Sequence, residues 1–296
     1  MSKHTLQQMK ERLAQELGRP EHQVIRFAYV QDGEWAEQAF LPACPRLECF
    51  SVTKSFTATG IGLAEAEGLL SLDDPLPRFF AAEWPAGADP KLERVTVRHL
   101  LTHTMGLGEG ILFDHQRYAL EEKDWLKYAL SAPLPYEPGT HFTYSNSTIY
   151  LLARILRKAA GVRADEYLEE KLMRPLGMGE HAWEHDPDGE TFGAAGLFLS
   201  TRDMAKLGLL YLNGGVYGGR RVLPEGWVRR ASRCQTGGLG SYGYGFWIFD
   251  GLGFAATGAF GQIILVLPEQ NAVLAAHAFH PQDVDYPAVM RRILAD

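Results

Sequence analysis

The chain of 296 residues is long enough to bury a large core as one domain or two interlocked ones. Hydrophobic residues make up 46% of it and charged residues 22%, which is typical of a globular protein and excludes a disordered chain. The net charge is -7, and the sequence has no block of like charge. It therefore gives no sign of a basic surface that would bind nucleic acid or an anionic membrane.

The beginning of the sequence and the cysteines give expectations about the compartment. The N-terminal residues lack an apolar core, and no apolar run approaches the length of a membrane span. We therefore expect a soluble cytoplasmic protein without a membrane partner, assuming that Met1 is the natural start. Cys44, Cys49 and Cys234 have no metal-type spacing. Cys44 and Cys49 could pair in an oxidising compartment, but buried free thiols are favoured.

The N-terminal quarter predicts a helix and a hairpin before the first motif. Apolar residues recur at helical spacing at Leu6, Met9, Leu13 and Leu17. Strand-like runs at residues 25–30 and 34–40 are joined by Asp32-Gly33, a strong hairpin signal. A loop at residues 42–45 then leads to a helix that contains Ser51, and this helix ends in a turn at residues 68–75.

Ser51 and Lys54 form the only Ser-x-x-Lys pair in the chain. On a helix this spacing places the hydroxyl beside the amine. A lysine that burial holds neutral can take the serine proton and make the hydroxyl a nucleophile. Such a pair also arises by chance about once in a chain of this length. The apolar and small residues around it favour a buried catalytic helix.

Further helices are predicted in the middle of the chain. One begins at Thr96 and is stopped by Gly106, and others cover residues 122–130, 149–160, 164–173, 200–211 and 223–233. His99 and His103 lie four residues apart on the first of them. Because no acidic residue follows His99 and no third ligand is evident, structural histidines with hydrogen-bond partners are favoured over a metal pair.

Tyr144 and Asn146 follow a proline-rich loop at residues 133–140 and precede the helix at 149–160. Functional side chains are often presented on a rigid loop at the start of a helix. The same Tyr-x-Asn spelling recurs at Tyr211 and Asn213, where an apolar run and a helix C-cap explain it.

The C-terminal part predicts three strand-like runs, at residues 244–249, at 254–257 continuing into 263–267, and at 272–279, followed by a last helix near residues 289–294. Strands at both ends and helices between them predict an α+β fold. In this fold an antiparallel sheet built from both termini, flanked by helices, carries a mainly helical inserted lobe. We assign residues 1–73 and 185–296 to the sheet lobe and residues 74–184 to the helical lobe, with the active site at their interface.

These motifs together resemble the serine beta-lactamase and penicillin-binding-protein superfamily. The similarity is greatest to its class C-like hydrolases, which include esterases, D-amino-acid peptidases and 6-aminohexanoate-oligomer hydrolases. The resemblance covers roughly residues 20–280 and implies the beta-lactamase/transpeptidase-like form of the fold described above. It runs through Ser51-x-x-Lys54, residues 72–75, 97–104 and 138–140, Tyr144-x-Asn146, residues 196–205 and Gly261-Gln262.

The resemblance implies roles for individual residues. Ser51 corresponds to the acylated nucleophile and Lys54 to its proton acceptor or electrostatic partner. Tyr144 corresponds to a general base, which would have to be a phenolate held by nearby cations. Asn146 is expected to bind Lys54 and the substrate's acyl amide.

The third family motif, commonly Lys-Thr-Gly or His-x-Gly, aligns with Ala256-Thr257-Gly258. The resemblance implies that Thr257 and Gly258 line the substrate site and that the backbone N–H groups of Ser51 and Ala259 form the oxyanion hole. The cation of the motif is absent, and loss of its hydrogen bond should weaken carboxylate binding about ten- to a hundredfold. A distant arginine such as Arg202 could compensate.

The sequence thus predicts a serine hydrolase that cleaves a small ester or amide through an acyl-enzyme on Ser51, with ester cleavage slightly favoured and efficient beta-lactam hydrolysis not expected. It predicts no cofactor, no metal and no nucleic-acid partner, and leaves the oligomeric state open. The residues at 242–247 (Tyr242, Tyr244, Phe246 and Trp247) could line an apolar acyl pocket or simply pack a strand. The alternative function is a catalytically silent ligand-binding or regulatory protein on the same fold.

Overall fold

The computed structural model describes residues 5–42, 44–282 and 284–295. Residue 43, inside the predicted loop at 42–45, therefore lies outside the described residues. In chain order the α-helices are α1 Leu6–Leu17, α2 Thr53–Ala66, α3 Pro77–Phe80, α4 Val97–Leu101, α5 Asp114–Arg117, α6 Trp125–Leu130, α7 Asn146–Ala160, α8 Ala164–Leu168, α9 Thr201–Leu212, α10 Glu225–Ala231 and α11 Tyr286–Ala295. A π-helical turn, Glu169–Met173, extends α8.

The strands are β1 Val24–Gln31, β2 Glu34–Ala39, β3 Leu47–Glu48, β4 Ala182–Trp183, β5 Leu197–Leu199, β6 Val216–Tyr217, β7 Arg220–Arg221, β8 Trp247–Phe249, β9 Gly253–Gly258, β10 Gln262–Leu267 and β11 Ala272–Ala278. The main sheet has the antiparallel order β2-β1-β11-β10-β9-β8. Its strands come from both ends of the chain, so the α+β prediction is confirmed.

Side-chain alternation along the central strands builds a core on each face of the sheet. In β1, Phe27 and Tyr29 join the core beneath the terminal helices α1 and α11. Ala28 and Val30, on the opposite face, join the larger core, which also contains the buried side of α2. Helix α2 is therefore enclosed between the sheet and the other helices, and its residues from Thr53 to Ala64 are all buried.

The two predicted lobes share this larger core, which includes apolar residues from both. A short three-stranded sheet, β3-β5-β4, also joins them. Strand β4 lies in the segment predicted to be the helical lobe but pairs with β5 of the sheet lobe. The division into lobes at these boundaries stays a prediction.

The structure corrects several predicted boundaries. Helix α4 ends at Leu101 and not at Gly106, because His103 already has a left-handed backbone with φ 56°. The run predicted to continue from residue 254 to 267 is two antiparallel strands, β9 and β10. A tight turn separates them, in which Phe260 and Gly261 have φ values of 65° and 88°.

Candidate active site

Ser51 lies in a single 3-10 turn, Phe50–Val52, immediately before helix α2, and not on the α-helix itself. The Ser-x-x-Lys spacing still brings the two side chains together across this turn. Lys54 Nζ lies 2.8 Å from Ser51 Oγ, within hydrogen-bond distance. The predicted pairing of hydroxyl and amine is therefore present.

Lys54 is 1% exposed, so water does not reach its amine. Its Nζ also donates to Asn146 Oδ1 at 2.6 Å and to the backbone oxygen of Ala194 at 2.7 Å. Burial lowers the pKa of Lys54 from 10.5 to about 7, because desolvation penalises the ammonium form. A neutral amine can keep the bonds to Asn146 and Ala194 with its two hydrogens and accept the Ser51 proton on its lone pair.

Tyr144 approaches the same pair from the loop before α7. Its hydroxyl faces the Ser51 side chain, and its ring lies 5.1 Å from Lys54 Nζ. Burial raises the pKa of Tyr144 to about 12, against the smaller lowering effect of the Ser51 hydrogen bond. The predicted phenolate is therefore wrong. Tyr144 is a phenol at neutral pH, because burial disfavours the anion more than the Ser51 side chain stabilises it.

Asn146 is the first residue of helix α7, and its position is fixed from two sides. Its Oδ1 accepts the bond from Lys54, as predicted, while its Nδ2 donates to the backbone oxygen of Leu112 at 2.9 Å. The residue before it, Ser145, caps the helix by accepting the N–H of Ser147. The predicted contact of Asn146 with an acyl amide stays a prediction.

His103 organises this loop in a way that the sequence did not indicate. The N–H of Ser145 donates to His103 Nδ1 at 3.3 Å, and the Thr148 hydroxyl lies 2.7 Å from the same nitrogen. The imidazole ring packs against the Tyr144 ring with a centroid distance of 4.5 Å. His103 thus holds the backbone between Tyr144 and Asn146.

The interpretation of His99 and His103 as structural residues is supported, with one correction. His99 belongs to the N-terminal cap of α4 with Thr96, whereas His103 lies beyond the end of that helix, so the two rings do not form a pair on one helix face. His103 Nε2 is buried without a hydrogen-bond partner among the residues that the structure describes. Burial, with a smaller effect from Lys54, holds the pKa of His103 well below its usual range.

Strand β9 brings the third motif against the turn that carries Ser51. A Cβ atom at Gly258 would lie 2.4 Å from the backbone oxygen of Cys49 and 3.1 Å from the backbone nitrogen of Ser51. Only glycine allows this approach of strand to turn. Thr257, Gly258 and Ala259 line the same cleft as Ser51, and their contact with a substrate stays a prediction. Ala256 is 1% exposed, belongs to the core and does not line the cleft.

The cleft has a volume of about 610 Å³. Ser51, Tyr144 and Asn146 line it together with aromatic residues, namely Phe50, Phe113, Trp247, Phe249, Phe260 and Tyr286. Of the four aromatic residues predicted as a possible acyl pocket, only Trp247 lines it. The other three, Tyr242, Tyr244 and Phe246, are at most 1% exposed, because they pack behind the cleft.

Among the described residues that line the cleft, none is lysine or arginine, whereas Asp114 and Asp285 are acidic. Arg202 does not compensate for the missing cation: its guanidinium stacks over the Trp35 ring and pairs with Glu37, away from the cleft. Arg117 is buried and pairs with Asp114 and Glu184. The prediction that Arg202 could compensate is therefore not supported.

Other predictions concern metals, cysteines and membranes. Within the described ranges, no three His, Cys, Asp or Glu side chains come together as a metal site would need. All three cysteines are free, so Cys44 and Cys49 do not pair; Cys49 is buried as predicted, but the prediction of a buried thiol fails for Cys44, which is exposed. Of the helices in the described part of the chain, none has the length and apolar character required to cross a membrane.

Comparison with known proteins identifies relatives of several kinds. Esterase EstB of Burkholderia gladioli is 32% identical over 143 residues, which cover 43% of this chain and 36% of the relative. The D-alanyl-D-alanine-carboxypeptidase/endopeptidase AmpH of Escherichia coli (strain K12) is 31% identical over 146 residues, covering 47% of this chain and 37% of the relative. The chain thus matches little more than a third of the length of these two curated relatives.

The structural and family comparisons extend over nearly the whole chain. A protein described as a 6-aminohexanoate-dimer hydrolase, from Bacillus anthracis, shares the fold with a TM-score of 0.80 at 21% identity, covering 97% of this chain and 80% of the other. The sequence also matches the Beta-lactamase family over residues 28–295, which include every site residue described above. The chain therefore belongs to the Beta-lactamase family.

Proposed function

We propose that the protein is a serine hydrolase that cleaves a small, uncharged ester or amide through an acyl-enzyme on Ser51. The observation that carries this proposal is the 2.8 Å contact between Ser51 Oγ and the Nζ of a lysine that is 1% exposed. Burial lowers the pKa of that lysine to about 7, so a large fraction of it is neutral at physiological pH. A neutral amine in this position is a general base for the hydroxyl.

In the acylation step, Ser51 Oγ attacks the substrate carbonyl carbon while Lys54 Nζ takes the hydroxyl proton. In this proposal, the backbone N–H groups of Ser51 and Ala259 stabilise the resulting oxyanion. This assignment is supported by the close approach of Gly258 to the Ser51 turn. The C–O or C–N bond of the substrate then breaks, and the leaving group needs a proton.

Tyr144 is the proton donor in this proposal. Its hydroxyl faces the Ser51 side chain, and its pKa of about 12 keeps it protonated. After donation, the ammonium of Lys54 restores the phenol. A water molecule then attacks the acyl carbon and gives a proton to Lys54. The bond between the acyl carbon and Ser51 Oγ breaks, Lys54 returns the proton to Ser51 Oγ, and the carboxylic acid is released. This reassigns Tyr144 from general base to general acid in acylation.

The charge around the cleft supports an uncharged substrate. The described lining holds no arginine or lysine for a substrate carboxylate, and it contains Asp285 and also Asp114, which pairs with Arg117. A charge-assisted hydrogen bond contributes about 1.5–3 kcal/mol, so its absence weakens the binding of a carboxylate about ten- to a hundredfold. We therefore expect poor hydrolysis of beta-lactams that carry a carboxylate.

The test compares p-nitrophenyl butyrate with the p-nitrophenyl monoester of succinic acid and with a chromogenic cephalosporin, using wild-type protein and Ser51→Ala. The proposal expects Ser51-dependent turnover of the butyrate, with the anionic ester and the cephalosporin at least tenfold poorer in kcat/KM. Equal or better turnover of the anionic substrates would contradict the proposed specificity. Absence of Ser51-dependent turnover of all three would favour the catalytically silent alternative.

A further inference from the structure

Two phenylalanines beside the nucleophile have an unusual backbone conformation. Phe50, immediately before Ser51, has φ 45°, and Phe260, immediately after Ala259, has φ 65°. Bulky residues rarely occupy this left-handed region, where glycine or asparagine is more stable. Backbone strain of this kind is concentrated at functional sites, where surrounding structure maintains it. The strain here falls on the two residues next to the proposed oxyanion hole.

The rings of these two residues pack against each other, and a third aromatic ring packs against that of Phe260. The centroids of Phe50 and Phe260 lie 5.0 Å apart, and the ring of Phe260 stacks on that of Phe279 at 5.4 Å with an interplanar angle of 14°. Phe50 and Phe260 line the cleft, while Phe279 lies just beyond it. We call these three residues the phenylalanine strip. It forms a continuous aromatic surface from the nucleophile to the outside of the protein.

Packing alone does not account for this arrangement. Phe279 is 65% exposed, so its ring contributes little to the core. Among the large hydrophobic side chains that the structure describes, only Tyr118 is more exposed, and the Tyr118 hydroxyl is bonded to Glu184. An exposed apolar surface that continues from a ligand cleft is typical of a binding site.

We propose that the phenylalanine strip is a subsite for an aromatic or other apolar group several bonds from the scissile carbonyl. This inference rests on the proposed function, because it assigns the distal part of the substrate of the same cleft. The strip carries no charge, and its rings offer flat faces for offset stacking. It therefore selects esters or amides that bear an uncharged aryl group over short ones.

The test uses two pairs of esters and three proteins. On the acyl side, p-nitrophenyl acetate is compared with p-nitrophenyl 4-phenylbutyrate; on the leaving-group side, ethyl acetate is compared with 3-phenylpropyl acetate. The proteins are wild type, Phe279→Ala and Val162→Ala. Val162 is also exposed, but it does not line the cleft, so its truncation controls for general loss of apolar surface.

We expect wild-type protein to prefer the phenyl-bearing ester of at least one pair in kcat/KM. Phe279→Ala should lower that preference about three- to tenfold, the size expected for loss of one aromatic contact. Val162→Ala should not change it. The pair that responds identifies the side of the scissile bond that occupies the strip. Equal preferences in wild type and Phe279→Ala for both pairs would overturn the proposal.

A binding measurement separates this inference from the proposed function. In Ser51→Ala protein, the neutral fluorescent probe N-phenyl-1-naphthylamine should bind, and adding Phe279→Ala should weaken the binding about three- to tenfold. If wild-type protein turns over no ester but this difference is found, the strip is a binding site and the hydrolase proposal fails. If esters are hydrolysed but neither the preferences nor the probe responds to Phe279→Ala, the strip proposal fails alone.

Discussion

Lys54 Nζ lies 2.8 Å from Ser51 Oγ, so the candidate nucleophile and its base are in direct contact. This contact sits at the start of a helix whose first twelve residues are buried. The helix is enclosed by the core, and the lysine is therefore desolvated. The depth at which α2 is buried thus determines the protonation state of the base.

The pH dependence of hydrolysis should report the titration of Lys54. Burial lowers its pKa from 10.5 to about 7, and the neutral amine is the active form. Activity should therefore rise as pH increases through 7, about tenfold per pH unit below that value, and then level off. Because the pKa of Tyr144 is raised to about 12, no fall is expected below pH 10. The measurement is kcat/KM for p-nitrophenyl butyrate from pH 5 to 9.5, corrected for spontaneous hydrolysis.

Lys54→Arg tests the same point, because a guanidinium stays protonated throughout this range. Its activity should be lower by about 10²–10⁴ and should show no rise near pH 7. A profile of the wild-type protein that is flat from pH 6 to 8 would contradict the assignment of Lys54 as the base.

Tyr144→Phe should have an effect that depends on the leaving group. If Tyr144 supplies a proton, substrates with a poor leaving group lose about 10²–10⁴ in kcat/KM. p-Nitrophenolate leaves without protonation, so p-nitrophenyl esters should lose much less. Alkyl esters and anilides of the same acyl group provide the comparison. Equal losses for good and poor leaving groups would instead favour Tyr144 as a base.

Substitutions of His103 should separate its hydrogen bonds from its ring. His103→Asn can keep an acceptor near the position of Nδ1, and asparagine tolerates the left-handed backbone. His103→Phe keeps an aromatic ring beside Tyr144 but leaves the Ser145 N–H unpaired, which should cost about 1–3 kcal/mol of unfolding free energy. We expect Asn to retain more stability and kcat than Phe, as measured by urea unfolding and ester turnover. Better retention by Phe would show that ring packing dominates.

Gly258→Ala should reduce activity, because the new Cβ would lie 2.4 Å from the Cys49 oxygen and force β9 away from the Ser51 turn. A shift of this kind enlarges the oxyanion hole, and loss of one of its donors costs about 10²–10³ in kcat. Gly226→Ala is the matched control. Gly226 lies in the first turn of helix α10 with no neighbouring atom in the way, so alanine there should leave kcat unchanged and should not lower stability. Wild-type kcat in Gly258→Ala would contradict the proposed oxyanion hole.

Local signals in the sequence predicted much of this fold. The structure confirms the hairpin at Asp32-Gly33, the helix that begins after Ser200 and the order of strands and helices. These features could be predicted because they depend mainly on residues that are close in sequence. The end of α4 could not be predicted, because it depends on the long-range bonds of His103 to Ser145 and Thr148. The split of one apolar run into β9 and β10 depends on a strained turn at Phe260, a residue that is not a usual turn signal.

In the site, too, the features that depend on local sequence could be predicted and those that depend on the folded structure could not. The spacing of Ser51 and Lys54 predicted their contact, and the resemblance to a known family predicted that Tyr144 and Asn146 belong to the same site. The protonation state of Tyr144 could not be predicted, because it depends on how completely the surrounding rings exclude water. The phenylalanine strip joins residues 50, 260 and 279, which only the folded sheet brings together.

The most direct test of the central claim is to locate the covalent intermediate. Purified protein is treated with a fluorophosphonate, and the modified residue is identified by intact mass and peptide mapping, beside Ser51→Ala and Ser55→Ala. Ser55 lies in helix α2, just after the turn that carries Ser51, and its hydroxyl donates to the backbone oxygen of Gly245. We predict one adduct, on Ser51, with loss of labelling and of ester turnover in Ser51→Ala but not in Ser55→Ala. Ester turnover that persists in Ser51→Ala, or an adduct on another residue, would contradict the account.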